Sequence, residues 1–250
     1  MLDEHEPVLR FDARESDRLT SVEQFVAATG IDPPGVRPLI GDAHAPALYG
    51  RRVEDAGAIW LQYWLLFDYN SQDRGIVGTG RHEGDWEMVQ VRLGGSGAVD
   101  AATFTQHSSA EGCPASRLEL ARGRPVVYVA NGSHALYPRA GMHDRPFPDP
   151  TDESGGDGET GVFGVERLGA RQRRWLAWHG HWGHSRAGIV PGEQSSPRGP
   201  AHQGERWDAP AAFHREARPC GTLPARFPWL LAAAALVAAA AAVSLYRRRA

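Results

Sequence analysis

The run Ala58-Ile59-Trp60-Leu61-Gln62-Tyr63-Trp64-Leu65-Leu66-Phe67 constrains the fold more than any other stretch. It is dense in aromatic and branched side chains and is apolar at odd and even positions alike. A strand built from it has no face to give to water, so it must be central and covered on both sides. Further strand candidates follow at Asp85 to Leu93, Ala102 to His107, Arg117 to Leu120 and Pro125 to Ala130, with turns between them. Pro7 to Phe11 reads as an edge strand opened by proline, and Trp175 to Trp182 as a strand that returns late in the chain. Ser21-Val22-Glu23-Gln24 has capping-box spacing and predicts a short helix that Gly30 can close. Pro146 to Gly161, rich in Asp, Gly and Pro, reads as a loop. Strands do not alternate with long helices, which argues against a doubly wound sheet. The expected fold is mainly β: an antiparallel β-sandwich with a few short helices, filling residues 1–218.

The end of the chain has a different composition. Residues 219–226 read as a linker, and Phe227 to Tyr246 carry no charge. Roughly 20 apolar residues rising about 1.5 Å each span about 30 Å, the hydrocarbon thickness of a bilayer. Trp229 and Tyr246 mark the two boundaries, and residues 247–250 form a basic tail with Arg247, Arg248 and Arg249. The expectation is a single-pass C-terminal transmembrane helix, with the lipid bilayer as a partner and the side of the soluble domain left open. A net charge of −3 with no basic stripe leaves no footprint for nucleic acid. Two cysteines, Cys113 and Cys220, allow one bridge or two free thiols.

Chemistry concentrates in His82-Glu83-Gly84-Asp85-Trp86-Glu87. In a strand, Asp85 and Glu87 share one face while Trp86 and Met88 take the other. His82, just upstream, can fold back towards the acids. Two co-facial carboxylates suit Ca²⁺, Mg²⁺ or Mn²⁺, and one imidazole leans the choice towards Mn²⁺ or Zn²⁺. A solvated strand end, its acids paired with Arg81 or Arg92, is the plain alternative. His107 and His134 each end a strand candidate and would join the site if those ends converge. His179, His181 and His184 allow a three-histidine zinc site, although Gly183 stands where an aspartate would be needed. No phosphate-binding loop, dinucleotide fingerprint or Gly-x-Ser-x-Gly elbow is present.

Taken in order, Pro7 to Phe11, Tyr49-Gly50-Arg51, Leu61 to Trp64, His82 to Glu87, Arg124 to Tyr137 and Gly180 to Gly183 resemble the vacuolar protein sorting-associated protein 62 family, which has no established activity. His82 to Glu87 is also similar to the Gly-His-Arg-His-Asp-Trp-Glu heptapeptide of necrosis- and ethylene-inducing-like proteins. That second resemblance implies a β-sandwich that binds a divalent cation and recognises the sugars of sphingolipid head groups. It maps the first histidine, the aspartate and the glutamate onto His82, Asp85 and Glu87, and leaves Gly84 in place of the second histidine. An upstream aspartate ligand would fall near Asp68 or Asn70.

The expected function is therefore a membrane-anchored domain holding a divalent cation, Ca²⁺, Mg²⁺ or Mn²⁺ ahead of Zn²⁺, at His82, Asp85 and Glu87. The cation would orient a polar ligand such as a glycan or lipid head group, with Asp68, Asn70, His107 and His134 as possible further site residues. A metal-dependent hydrolase of phosphoester or glycoside bonds and a non-catalytic scaffold are the alternatives.

Overall fold

The computed structural model describes residues 1–37, 47–72, 80–145 and 150–222. In chain order the first elements are β1 (Val8–Arg10), α1 (Val22–Thr29), β2 (Leu48–Asp55), β3 (Ala58–Asn70), β4 (His82–Leu93), β5 (Val99–Gln106), β6 (Ser109–Pro114), β7 (Leu120–Ala121), β8 (Arg124–Val129) and β9 (Leu136–Tyr137). They are followed by β10 (Gly141–His143), β11 (Asp152–Ser154), β12 (Thr160–Gly161), β13 (Val165–Arg167), α2 (Arg173–Leu176), α3 (Glu205–Asp208), α4 (Pro210–Glu216) and β14 (Arg218–Pro219).

Seven strands form the main sheet in the order β13-β2-β3-β4-β5-β6-β14. The run at Ala58 to Phe67 does sit centrally as β3, and both its faces are covered. Leu61, Tyr63, Leu65 and Phe67 pack with Val89 and Val91 of β4 against Leu9, Val127, Val129 and Leu136 of the smaller sheet. Trp64 and Leu66, on the other face, pack with Trp86 and Met88 against Val22, Phe25 and Val26 of α1 and against Trp175 and Trp182. Helix α1 has the predicted bounds. The Ser21 hydroxyl accepts from the Gln24 N–H, the Gln24 side chain accepts from the Ser21 N–H, and Gly30 closes the helix with φ +73°.

The expected antiparallel sandwich is corrected to a mainly β fold with mixed sheets. β2 to β6 are antiparallel to their neighbours, but β13 joins β2, β14 joins β6, and β1 joins β8 in parallel. Each parallel partner is far away in sequence, and long connections release a strand from hairpin geometry. Alternation in sequence carries no information about strand direction. Leu118 and the residues before it form no strand: Ala115–Arg117 is a 3₁₀ turn ahead of the two-residue β7. Trp175 to Trp182 is likewise no strand. It begins with the last two residues of α2 and holds one isolated bridge from His181 to Arg198, because its indoles pack as separate rings against Trp86 and Tyr49 instead of pairing backbone. The expected loop at Pro146 to Gly161 contains β11 and β12.

The membrane expectation is also corrected. Among the described residues no helix is long and apolar enough to cross a membrane, so the transmembrane helix and the single-pass localisation are withdrawn. Phe227 to Tyr246, on which that reading fell, lies outside the described residues. Cys113 and Cys220 form a disulfide that fixes the segment after α4 to β6.

Candidate functional site

Asp85 and Glu87 lie on β4 opposite Phe67 and Leu65 of β3, on the face turned towards the smaller sheet. Both are buried. His82 sits three residues before Asp85, and in a regular strand that spacing puts two side chains on opposite faces. Gly84 breaks the alternation. Its φ is +65°, and the β3–β4 register runs from Phe67–Asp85 to Tyr69–Glu83 without pairing Asp68 to Gly84. The kink turns both side chains to one side, and His82 Nε2 comes within 3.5 Å of Asp85 Oδ1. A side chain at position 84 has no room: its Cβ would lie 2.2 Å from the Trp182 carbonyl oxygen and 2.8 Å from Phe25 Cζ. The second histidine of the heptapeptide is thus sterically excluded here.

Around Asp85 the hydrogen bonds are dense. Its Oδ2 accepts from Asn70 Nδ2 at 2.9 Å and from His134 Nδ1 at 3.0 Å. His82 Nδ1 donates to the Gly80 carbonyl at 2.7 Å, which orients the ring so that Nε2 faces Asp85. Burial alone would push the Asp85 carboxyl up, but the hydrogen bonds from His134 and His82 outweigh it and hold the group well below the usual carboxylate range. Glu87 is different. Burial, with the Asp85 charge added, pushes it up to about 8. Its hydrogen-bond partner is the neutral Thr105 hydroxyl. The two acids therefore sit side by side with opposite protonation preferences.

A cavity of about 610 Å³ opens beside them, lined among others by Asn70, His82, Asp85, Glu87, His107 and Arg206. Arg145 and Arg198 line the same space. The structure thus brings His82, Asp85, Glu87, Asn70 and His107 to one cavity, with His134 behind Asp85, but His82, Asp85 and Glu87 are not among the groups of described residues whose ligand atoms all lie within 4.8 Å of one another. Asp68 is not part of this group: its carboxylate accepts from the Arg18 backbone N–H at 2.7 Å and faces the Arg18 guanidinium at 3.3 Å. The three histidines of the late segment go separate ways, His179 to the His202 ring, His181 to the Ser196 carbonyl and His184 to the Thr29 carbonyl.

Asp152 is a site residue that pattern reading misses. It is buried and accepts from His107 Nε2 at 2.9 Å, Gln72 Nε2 at 2.6 Å, Ser133 Oγ at 2.9 Å and the Tyr137 hydroxyl at 2.6 Å. Burial works against its charge, but His107 and its other partners hold it well below the usual carboxylate range. Its neighbours in sequence read as a loop, and no local signal marks it.

Among solved structures, the chain is similar to "NLPPya in complex with glucosamine" (18% identity over 70% of this chain and 77% of that chain, TM-score 0.44). It is also similar to "NLPPya in complex with mannosamine" (17%, 73% and 80%, TM-score 0.46). A third is Necrosis and Ethylene inducing Protein 2 from the causal agent of cocoa's Witches Broom disease (15%, 70% and 77%, TM-score 0.42). No curated protein matches the chain. The family model for vacuolar protein sorting-associated protein 62 matches residues 69–145, a narrower stretch than the sequence blocks suggested. The family resemblance read from the sequence is thus matched on the segment that carries His82, Asp85, Glu87, His107 and His134, and the similar solved structures are of the second family it named.

Proposed function

We propose that the cavity beside β4 binds a divalent cation through His82, Asp85 and Glu87, and that the cation orients a hydroxyl-rich ligand of the glycan class. One observation carries this reading: two buried carboxylates lie on neighbouring same-face positions of β4 at the wall of a polar cavity, and only Asp85 has imidazole partners. A buried carboxylate without a cationic partner is costly when ionised. A divalent ion supplies the missing charge. The donor set of two carboxylates and one imidazole admits Mn²⁺, Ca²⁺ and Mg²⁺ through its oxygens and Zn²⁺ through its nitrogen. His82 meets a further requirement, because a backbone carbonyl on Nδ1 is the usual support behind a ligating histidine. Glycan hydroxyls would find acceptors in the carboxylates and donors in Arg145, Arg198 and Arg206 around the same space.

The test is calorimetry and metal analysis of the chelator-treated full chain with Mn²⁺, Ca²⁺ and Mg²⁺, repeated on Glu87→Gln. Uptake that Glu87→Gln weakens, followed by cation-dependent retention on a glycan panel, supports the proposal. If the native chain and Glu87→Gln take up the same amount of each metal, the cation reading is lost.

A further inference from the structure

We propose a second metal site, formed by Glu15, Asp17 and His134, that takes a divalent ion of the Zn²⁺ or Mn²⁺ class. It lies on the side of the His134 ring opposite Asp85 and uses residues that do not line the cavity. His134 is fully buried in the turn after β8, with φ +55°, and its ring stacks on Phe67 at 3.9 Å between centroids. Nδ1 donates to Asp85, which fixes the ring and leaves Nε2 as the lone-pair nitrogen pointing away. Among the described residues Nε2 has no hydrogen-bond partner. A buried polar atom left so is rare enough to need a cause.

The atoms it faces are carboxylate oxygens. Glu15 Oε2 is 3.9 Å away and Asp17 Oδ2 3.7 Å, both beyond hydrogen-bond length. Each carboxylate is already aimed by backbone. Glu15 Oε2 accepts from the Gly132 N–H at 2.8 Å, its Oε1 accepts from the Asp17 N–H at 2.9 Å, and Asp17 Oδ2 accepts from the Ser71 N–H at 2.9 Å. One ligand atom from each of the three residues falls within 4.8 Å of the others. A point equidistant from atoms so spaced lies about 2 to 2.5 Å from each, which is metal–ligand bond length.

Chemistry agrees with the geometry. Two carboxylates and a neutral imidazole leave a charge that a divalent ion cancels. The same oxygen and nitrogen donor types as at the cavity admit Zn²⁺ and Mn²⁺. Asp85 stands behind His134 as the carboxylate of a carboxylate–histidine–metal arrangement, which orients the ring.

The experiment uses the full chain, stripped with chelator and titrated with Zn²⁺ and then Mn²⁺, with metal content counted. The variants are Glu15→Gln/Asp17→Asn, the milder Asp17→Asn alone, and Glu87→Gln. A metal-free thermal melt of each confirms that it folds. The expected result is one equivalent lost, or weakened at least tenfold, in both N-terminal variants and kept in Glu87→Gln. ¹⁵N spectra of the native chain should show the His134 Nε2 resonance move on adding Zn²⁺. Full retention of metal in Glu15→Gln/Asp17→Asn overturns the site, and so does a His134 ring doubly protonated at neutral pH and indifferent to Zn²⁺. The two sites fail separately: metal lost only in Glu87→Gln leaves the cavity proposal standing, and metal lost only in the N-terminal variants leaves this one.

Discussion

The Asp85 carboxylate and the His134 imidazole lie 3.0 Å apart although 49 positions separate them, and Asp85 is the hydrogen-bond partner of the His134 Nδ1. The contact ties β4 of the main sheet to the turn that follows β8 of the smaller one. His134→Ala removes a stacked ring and strips a buried carboxylate of one of the two donors on its Oδ2. Breaking a buried pair by deleting one partner costs about 3 to 5 kcal/mol. Urea unfolding of His134→Ala should show a loss of that order. A loss below about 1 kcal/mol would mean that Asn70 and His82 alone satisfy Asp85.

If the cavity takes a cation as proposed, Glu87 should set the pH dependence of its uptake. Its carboxyl, pushed up to about 8 by burial and by Asp85, holds a proton at neutral pH when no cation is present. A divalent ion must displace that proton, so affinity should rise about tenfold per pH unit below 8 and level off above it. Calorimetric dissociation constants for Mn²⁺ at pH 6, 7 and 8 check this, and Glu87→Gln should flatten the curve while weakening binding. An unchanged slope in the variant would assign the proton to another group.

Gly84→Ala should destabilise the protein by ~3 kcal/mol or more, because backbone at φ +65° and the Trp182 carbonyl at 2.2 Å both oppose a side chain. Gly95→Ala, where nothing lies within 4 Å, is the control and should change stability by less than about 0.5 kcal/mol. Thermal melts of the two variants side by side decide it. Equal effects would remove the steric account of the kink.

Reduction of the Cys113–Cys220 bridge opens a loop of 107 residues. The loss should be about 2 to 4 kcal/mol, read as a lower melting temperature in the Cys113→Ser/Cys220→Ser protein and in the native chain under reductant. Matching losses in both confirm that the bridge acts on the native chain.

Much of this architecture is legible in the residues themselves. Apolar side chains at both parities from Ala58 to Phe67 require a doubly covered strand, and Ser21 with Gln24 and Gly30 fixes both ends of α1. Alternation put Asp85 and Glu87 on one face, as observed. Other features depend on contacts that no local pattern records. The parallel pairing of β1, β13 and β14 follows from where distant segments return. The Trp175 to Trp182 run has strand composition, yet its rings are used one at a time. Asp152, Glu15 and Asp17 come from segments without periodicity, so nothing in the sequence separates them from solvated acids. The choice between Asp68 and Asn70 rested on the kink at Gly84, which a one-dimensional register cannot reveal.

His143 gives the fold its own acid sensitivity, away from the cavity. The ring is buried, stacks on Tyr137 at 3.6 Å between centroids, and shares a hydrogen bond of 2.9 Å with the Ser154 hydroxyl. Burial, helped by the Arg139 charge, lowers its pKa from 6.5 to about 4. The unfolded chain therefore takes up this proton as pH falls below 6.5, while the folded chain refuses it until about 4. The stabilisation is fully present above pH 6.5, declines between 6.5 and 4, and is gone below, a change on the order of 3 kcal/mol. Asp12, held down to about 2 mainly by Arg14, contributes its own loss only below its ordinary 3.8, so the two windows separate. Urea midpoints at pH 7.5, 6, 5 and 4.5 should fall steadily for the native chain and much less for His143→Gln. Parallel curves for the two proteins would show that the acid response arises elsewhere.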